Sequence, residues 1–184
     1  MAARRTALDA APCASPDRFR ELMSAFPTGV GVITAFRADG RPVGMTCSSI
    51  CSVSLEPPTL LVALRNASPT LAAVLESSVF SLNFLHEGAR EVAKLFASGD
   101  ADRFDQVDWR DDGTCGGPHL VRAAHARADC RAVRHERVGD HTVVYGEVAA
   151  TRAGPGGGRP EAIRPEAIRP LLYGQRRYAT WPAA

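Results

Sequence analysis

The sequence predicts a mainly β protein, built as a closed or nearly closed antiparallel barrel with a few peripheral α-helices. Three observations predict it. Runs rich in Val, Ile and Thr recur at short spacing, Asp/Gly turn signals separate them, and only a few stretches carry helix signals. Most links between the runs are too short to hold a crossover helix, which disfavours parallel βαβ units. At 184 residues the chain suits one domain, on a scale of roughly 100–200 residues each. Residues 1–14 read as a flexible tail and 15–184 as a single domain.

Each element has a local cause. Ser15-Pro16 opens the first helix, because a Ser cap accepts from free amides and Pro at the first position presets φ. Phe19, Leu22, Met23 and Phe26 succeed it at i, i+3, i+4 and i+7, an apolar stripe that must dock on something, and Pro27 ends the helix. A strand is expected from Thr28 to Phe36, then a turn through Ala38-Asp39-Gly40-Arg41-Pro42. Val43 to Val53 is a small, hydroxylated run read as one strand, and Thr59–Leu64 reads as a strand buried on both faces. Ser68-Pro69 repeats the helix start before Thr70–Glu76, and Val79–Leu85 returns as a strand. A second helix over Gly88–Ser98 carries Val92, Leu95 and Phe96 on one side, before an Asp/Gly-rich loop over 99–118. Ala126–Val138 alternates small with polar residues, and Gly139-Asp140 turns it into His141–Ala150 as a hairpin. Residues 153–170 form a Gly/Pro-rich insertion in which Arg-Pro-Glu-Ala-Ile occurs twice (159–163 and 164–168). Two copies of five residues cannot build a solenoid, so the repeat reads as a duplicated linker. Leu171–Tyr178 closes the chain as a strand.

Composition narrows the function. With 45% hydrophobic and 23% charged residues, the chain is neither disordered, collagen-like nor a coiled coil. Its formal charge is only +2, the basic residues are scattered, and aromatics do not interleave with them, so no nucleic-acid partner is expected. No window approaches the roughly 18 apolar residues of a membrane span. Met1-Ala2-Ala3-Arg4-Arg5 could open a signal peptide, but Asp9 and Pro12 interrupt the apolar stretch such a peptide needs, so secretion is rejected. Five cysteines (Cys13, Cys47, Cys51, Cys115, Cys130) without a C-x-x-C pair fit reduced thiols in a cytoplasm better than a disulfide framework. Cys47 and Cys51 stand four apart with no nearby Cys/His pair to complete a zinc site, so no metal is expected.

For chemistry, the chain has no G-x-S-x-G and no phosphate loop, and Gly154-Pro155-Gly156-Gly157-Gly158-Arg159 lacks the dinucleotide fingerprint. The informative stretch runs from Gly44 to Pro58. Where a buried strand would carry branched aliphatics, it offers Thr46, Ser48, Ser49, Ser52 and Ser54. Small hydroxylated side chains let a flat ligand approach the backbone and donate to its oxygens; the same residues also suit a solvated edge strand. Asn66-Ala67-Ser68-Pro69-Thr70 places hydroxyls at a helix start, either as a phosphate seat or with Ser68 as a plain cap.

Six segments in register carry a resemblance. Phe26-Pro27-Thr28-Gly29-Val30, the Met45-to-Pro58 segment, Asn66-Ala67-Ser68-Pro69-Thr70, Phe80-Ser81-Leu82-Asn83-Phe84-Leu85, Asp102-Arg103-Phe104 and Gly139-Asp140-His141 resemble the short flavin reductases that serve two-component flavin-dependent monooxygenases. The resemblance covers roughly residues 16–180. It implies a homodimeric split β-barrel of Greek-key type, binding FAD or FMN near the dimer interface and taking hydride from NADH or NADPH. It implies flavin-binding roles for Thr46, Ser48, Ser49, Ser52, Ser54, Ser68, Thr70 and Ser98, with Lys94 and Arg103 beside the phosphate. His141 corresponds to a nicotinamide-nucleotide contact, and without the resemblance would be only a hairpin-turn histidine. Arg176 and Tyr178 fall on the nicotinamide side, although Tyr173-Gly174-Gln175-Arg176-Arg177-Tyr178 departs from the aromatic-Gly-Gly-x-Tyr close common in the family. Hydride transfer needs no general acid or base, so no catalytic residue is expected. The alternative on the same barrel is a flavin carrier without reductase activity; a pyridoxamine-phosphate-oxidase-like reading lacks its basic phosphate-ester pocket.

Overall fold

The computed structural model describes residues 13–113, 116–153 and 168–181. Most of the 153–170 insertion, including nearly all of the duplicated segment, and most of the 1–14 tail lie outside the described residues.

Among the described residues, twelve strands and three helices succeed one another. Helix α1 (Pro16–Ser24) precedes β1 (Thr28–Gly29), β2 (Gly31–Phe36), β3 (Pro42–Cys47), β4 (Ile50–Leu55) and β5 (Pro58–Arg65). Helix α2 (Pro69–Ser77), β6 (Val79–Leu85) and α3 (Arg90–Ser98) come next, with a 3₁₀ turn at Glu87–Ala89 before α3. Then come β7 (Trp109–Arg110), β8 (His119–Leu120), β9 (Ala124–Val138), β10 (His141–Ala153), β11 (Leu171–Gly174) and β12 (Arg177–Thr180). The main sheet has seven strands in the order β3-β2-β6-β9-β10-β5-β4, every neighbouring pair antiparallel. The mainly antiparallel β reading with few helices therefore holds.

The Val43–Val53 run is two strands, not one. β3 and β4 are the opposite edges of the seven-stranded sheet, yet only Ser48 and Ser49 separate them. A link that short spans about 10 Å at full stretch, so the sheet must roll until its edges approach at this end. The Ala63 amide donates to the Ser49 carbonyl at 3.1 Å, which extends the β4–β5 ladder into the link. The Cys47 thiol lies 3.8 Å from the Ala63 carbonyl. Small side chains at the seam are what such a join requires.

Rolling produces two cores. Ile33, Leu60, Val62, Leu64, Phe80, Leu82, Cys130 and Val144 fill the inner face, plugged by Leu71 and Val74 of α2. Val30, Val32, Leu85, Phe96, Phe104 and Leu120 form the second, covered by α3 and the loop behind it. β2 serves both, which explains its unbroken burial. β5 does not: Leu60, Val62 and Leu64 are buried while Thr59, Leu61 and Ala63 are half-buried, correcting the two-faced reading. Its inner face meets the core; its outer face is only partly covered.

The Ser-Pro helix starts behave as expected. Ser15 accepts from the Arg18 amide and Ser68 from the Thr70 amide. The 99–118 loop carries more structure than its composition announces, since β7 pairs with β8 and Phe104 packs edge-on against both Phe96 and Trp109. At the C-terminus, Leu171–Tyr178 is a hairpin rather than one strand, with Gly174 paired to Arg177. Its turn residues, Gln175 and Arg176, both hold positive φ (50° and 58°) without a glycine to signal it. The Gln175 amide donates to the Ser24 carbonyl, which pins the turn against α1.

Candidate functional site

One cavity is walled by strand β3, and a second lies just past its end. The first, of about 500 Å³, opens between the β2–β3 turn, the start of α2 and the end of α3. Four arginines line it (Arg37, Arg41, Arg65, Arg103), and among the described residues no Asp or Glu does. Arg103 is held in place because its Nη1 donates to the Gly44 carbonyl at 2.8 Å. Gly44 is needed here, since a Cβ would press to 3.0 Å from the Phe96 ring and 3.1 Å from the Ile33 carbonyl. Ser68 sits at the opposite wall, its Oγ accepting from Thr70 and donating to the Met45 thioether at 3.1 Å. Thr70, buried, lines the same space. Concentrated guanidinium groups at a capped helix start favour an anion such as phosphate.

The second cavity, about 840 Å³, lies between α1, the β3–β4 seam and the C-terminal hairpin. Phe19 and Met23 of α1, with Phe26 just after it, face Ile50, Leu61 and Tyr173, with Ser48, Ser49 and Arg176 among the lining residues. Its walls are apolar and aromatic, with a few hydroxyls, which suits a flat ring system.

The structure brings some of the expected residues together and separates others. Ser68, Thr70 and Arg103 share the basic cavity; Ser48, Ser49 and Arg176 share the apolar one. The Thr46 hydroxyl donates to the Ala93 carbonyl at 2.6 Å and ties β3 to α3. Ser52 is exposed on β4, and Ser54 turns inward on its own loop, bonding both the amide and the carbonyl of Glu56. Lys94 and Ser98 line a separate hollow on the other side of α3, where Lys94 pairs with Glu91 at 2.8 Å and Ser98 caps the helix end. His141 begins β10 directly opposite Arg65, its Nδ1 2.8 Å from the Asp140 carboxylate, and that hydrogen bond lowers the Asp140 pKa. Tyr178 packs edge-on against Tyr173 with the Arg90 guanidinium 5.8 Å over its ring; burial raises its hydroxyl pKa. Burial pushes the Cys47 thiol up to about 11, leaving it inert at neutral pH.

Sequence reasoning missed Arg37, Arg41 and Arg65. Their only local signal is that two flank a turn and one lies three residues before a helix cap.

Comparison with known proteins bears on this geometry. A family model described as a flavin reductase like domain matches residues 23–182. A flavin reductase (NADPH) of Lentzea aerocolonigenes is 46% identical over 162 residues, covering 88% of each chain. The reductase subunit of a flavin-dependent monooxygenase from Rhodococcus jostii is 36% identical over 77% of this chain and 71% of its own. Among solved structures, an NADH:FAD oxidoreductase of Streptomyces globisporus in complex with NAD and FAD fragments superposes with a TM-score of 0.79. It is 29% identical and covers 94% of this chain and 98% of its own.

Proposed function

The chain belongs to the flavin reductase-like domain family, and from that premise we propose how its own residues serve NAD(P)H-dependent reduction of FAD or FMN. The observation that carries the reading is the pair of cavities joined by β3 and the link after it. Met45 of β3 lines the basic one and Ser48, in the link just past β3, lines the apolar one, three residues and at most about 10 Å apart along the chain. A ligand with an anionic tail and a flat tricyclic head has that shape. Ser68, Thr70, Arg65 and Arg103 take the tail; Ser48 and Ser49 meet the ring. Thr46 acts one step back, fixing β3 on α3. His141, across the β10–β5 ladder from Arg65, and Arg176, in the lining of the apolar cavity, orient the nicotinamide nucleotide. Ser52, Ser54, Lys94, Ser98 and Tyr178 line neither cavity.

Bound together, the two nucleotides supply the redox chemistry, hydride passing from nicotinamide C4 to flavin N5. The protein's task is to stack the rings, exclude water and place hydroxyl and amide donors where the flavin gains charge. No general acid or base is called for.

The assembly is a homodimer. α1 buries none of its residues, and Phe19, Leu22 and Phe26 remain more than half exposed at 57%, 68% and 63%. Val53 and Leu55 on β4 are exposed apolar groups as well. A second copy covering the α1 face would complete the apolar cavity. Residues 15–184 act as one domain, and the reduced flavin goes to a monooxygenase partner, like that implied by the name of the Rhodococcus relative. Among the described residues, the free cysteines Cys13, Cys47 and Cys51 support work in a reducing cytoplasm. Among the described residues, no helix is long and apolar enough to cross a membrane.

Initial rates of NADH and NADPH oxidation, with and without added FAD or FMN, test the reading. Consumption should depend on added flavin, and His141→Ala should raise the nicotinamide KM about tenfold (~1.4 kcal/mol) with flavin affinity unchanged. A flavin carrier would show no nicotinamide effect; the naming of relatives as reductases does not favour it.

A further inference from the structure

We propose that the Arg37–Arg41 turn binds a second phosphoryl group, so that the basic cavity selects the dinucleotide flavin, FAD, over the monophosphate, FMN. This rests on the flavin-reductase reading and deepens it.

The argument begins with a surplus of charge. A single phosphoryl group at the start of α2 already meets Arg65, three residues before the Ser68 cap, and Arg103, anchored on Gly44. Arg37 and Arg41 line the same cavity from its far end, where β2 ends at Phe36 and β3 begins at Pro42. The Met45 thioether marks the Ser68 end, 3.1 Å from its hydroxyl. Pro42 lies three residues back along β3, about 10 Å away. Guanidinium groups reaching inward from that distance meet the next phosphoryl along a chain rather than the first.

The turn is also preset. Gly40, at φ 77°, lets it close, and the Arg37 amide donates to the Arg41 carbonyl at 3.0 Å. Asp39 then holds Arg41 by a fork, Nε at 2.9 Å and Nη2 at 2.7 Å from one carboxylate oxygen, with Arg37 4.0 Å from the other. Two arginines against one aspartate leave one net positive charge, the match for the single negative charge of each phosphoryl in a pyrophosphate. FMN places both its charges at the α2 end and gives this turn nothing to hold. The arginines are exposed, so the attraction is screened and its effect moderate.

Equilibrium titration of FAD and FMN by fluorescence, at low salt, tests this on the wild-type protein and on Arg37→Ala/Arg41→Ala, both sites being solvent-exposed turn positions. FAD affinity should fall about tenfold, more at low salt than at high, while FMN stays within about twofold. Equal losses for FAD and FMN would overturn the proposal, since the turn would then act only as diffuse positive charge. A rise in KM for NADPH alone, with FAD binding intact, would also overturn it, assigning the turn to the nicotinamide 2′-phosphate. Wild-type protein that binds neither flavin would overturn the reductase reading itself, and this proposal with it.

Discussion

The seam where β6 meets β9 and the face under α1 are built on opposite terms. At the seam, polar groups are buried and partnered. Asn83 donates toward Thr34 and the Pro118 carbonyl and accepts from the Leu120 amide at 2.9 Å. Ser81 and the His119 Nε2 both bond the Asp129 carboxylate, while His119 Nδ1 bonds Asp112 at 2.9 Å. The loop bearing Gly117 lies so close that a Cβ there would sit 2.3 Å from the Thr34 carbonyl. Under α1, large apolar groups stand exposed. One region is satisfied by its own neighbours; the other leaves large apolar groups exposed among the described residues. Buried polar groups must find partners inside the fold because leaving one unsatisfied costs about 1–3 kcal/mol, whereas exposed apolar groups can wait for association.

The largest expected effect breaks the buried polar region. His119→Ala would leave the Asp129 carboxylate buried without its imidazole partner and should cost about 3–5 kcal/mol, read as a lower urea midpoint. Stability should also vary with pH. Hydrogen bonding to Asp129 raises the His119 pKa above its usual 6.5, against the opposing effect of burial. A raised folded-state pKa means its stabilisation is full below about pH 6.5 and fades as pH rises through the folded value. Asp112, lowered chiefly by its hydrogen bond to His119, behaves inversely: its contribution is lost as pH falls below 3.8 and through its folded value. Wild-type melting temperature should therefore drop on the alkaline side, and His119→Gln should flatten that limb.

The next effect breaks the exposed apolar region. Phe26→Asp should weaken self-association by about 10–100-fold in sedimentation, with little change in the urea midpoint of the monomer. If instead it unfolded the chain, α1 would belong to the core and the contrast would fail. The smallest effect sharpens the boundary between them. Gln175 holds positive φ in the turn pinned to α1, and Asn tolerates that conformation better. Gln175→Asn should add about 0.5–1 kcal/mol, roughly 1–4 °C in melting temperature.

Legibility in the sequence divides along the same line. Ser15-Pro16, Ser68-Pro69 and Gly139-Asp140 announced their helices and hairpin because the signals are local. The split of Val43–Val53 was hidden, because a chain crossing from one sheet edge to the other is a tertiary event that leaves only small residues behind. The C-terminal hairpin was hidden because Gln175 and Arg176 hold a conformation that glycine usually advertises. The apolar stripe at α1 is plain in the sequence, and among the described residues it stays exposed. Resemblance rather than periodicity is what points to Ser48, Ser68 and Thr70. Arg37, Arg41 and Arg65 escaped because an arginine facing a cavity and one facing bulk water look alike in a sequence.

Mixing oxidised FAD, protein and NADH without oxygen, and tracking the flavin's visible absorbance, addresses the central claim directly. The account predicts that the absorbance bleaches in step with nicotinamide oxidation, at a rate that saturates with flavin and drops in Arg103→Ala. Flavin that binds yet keeps its colour while NADH persists would contradict it.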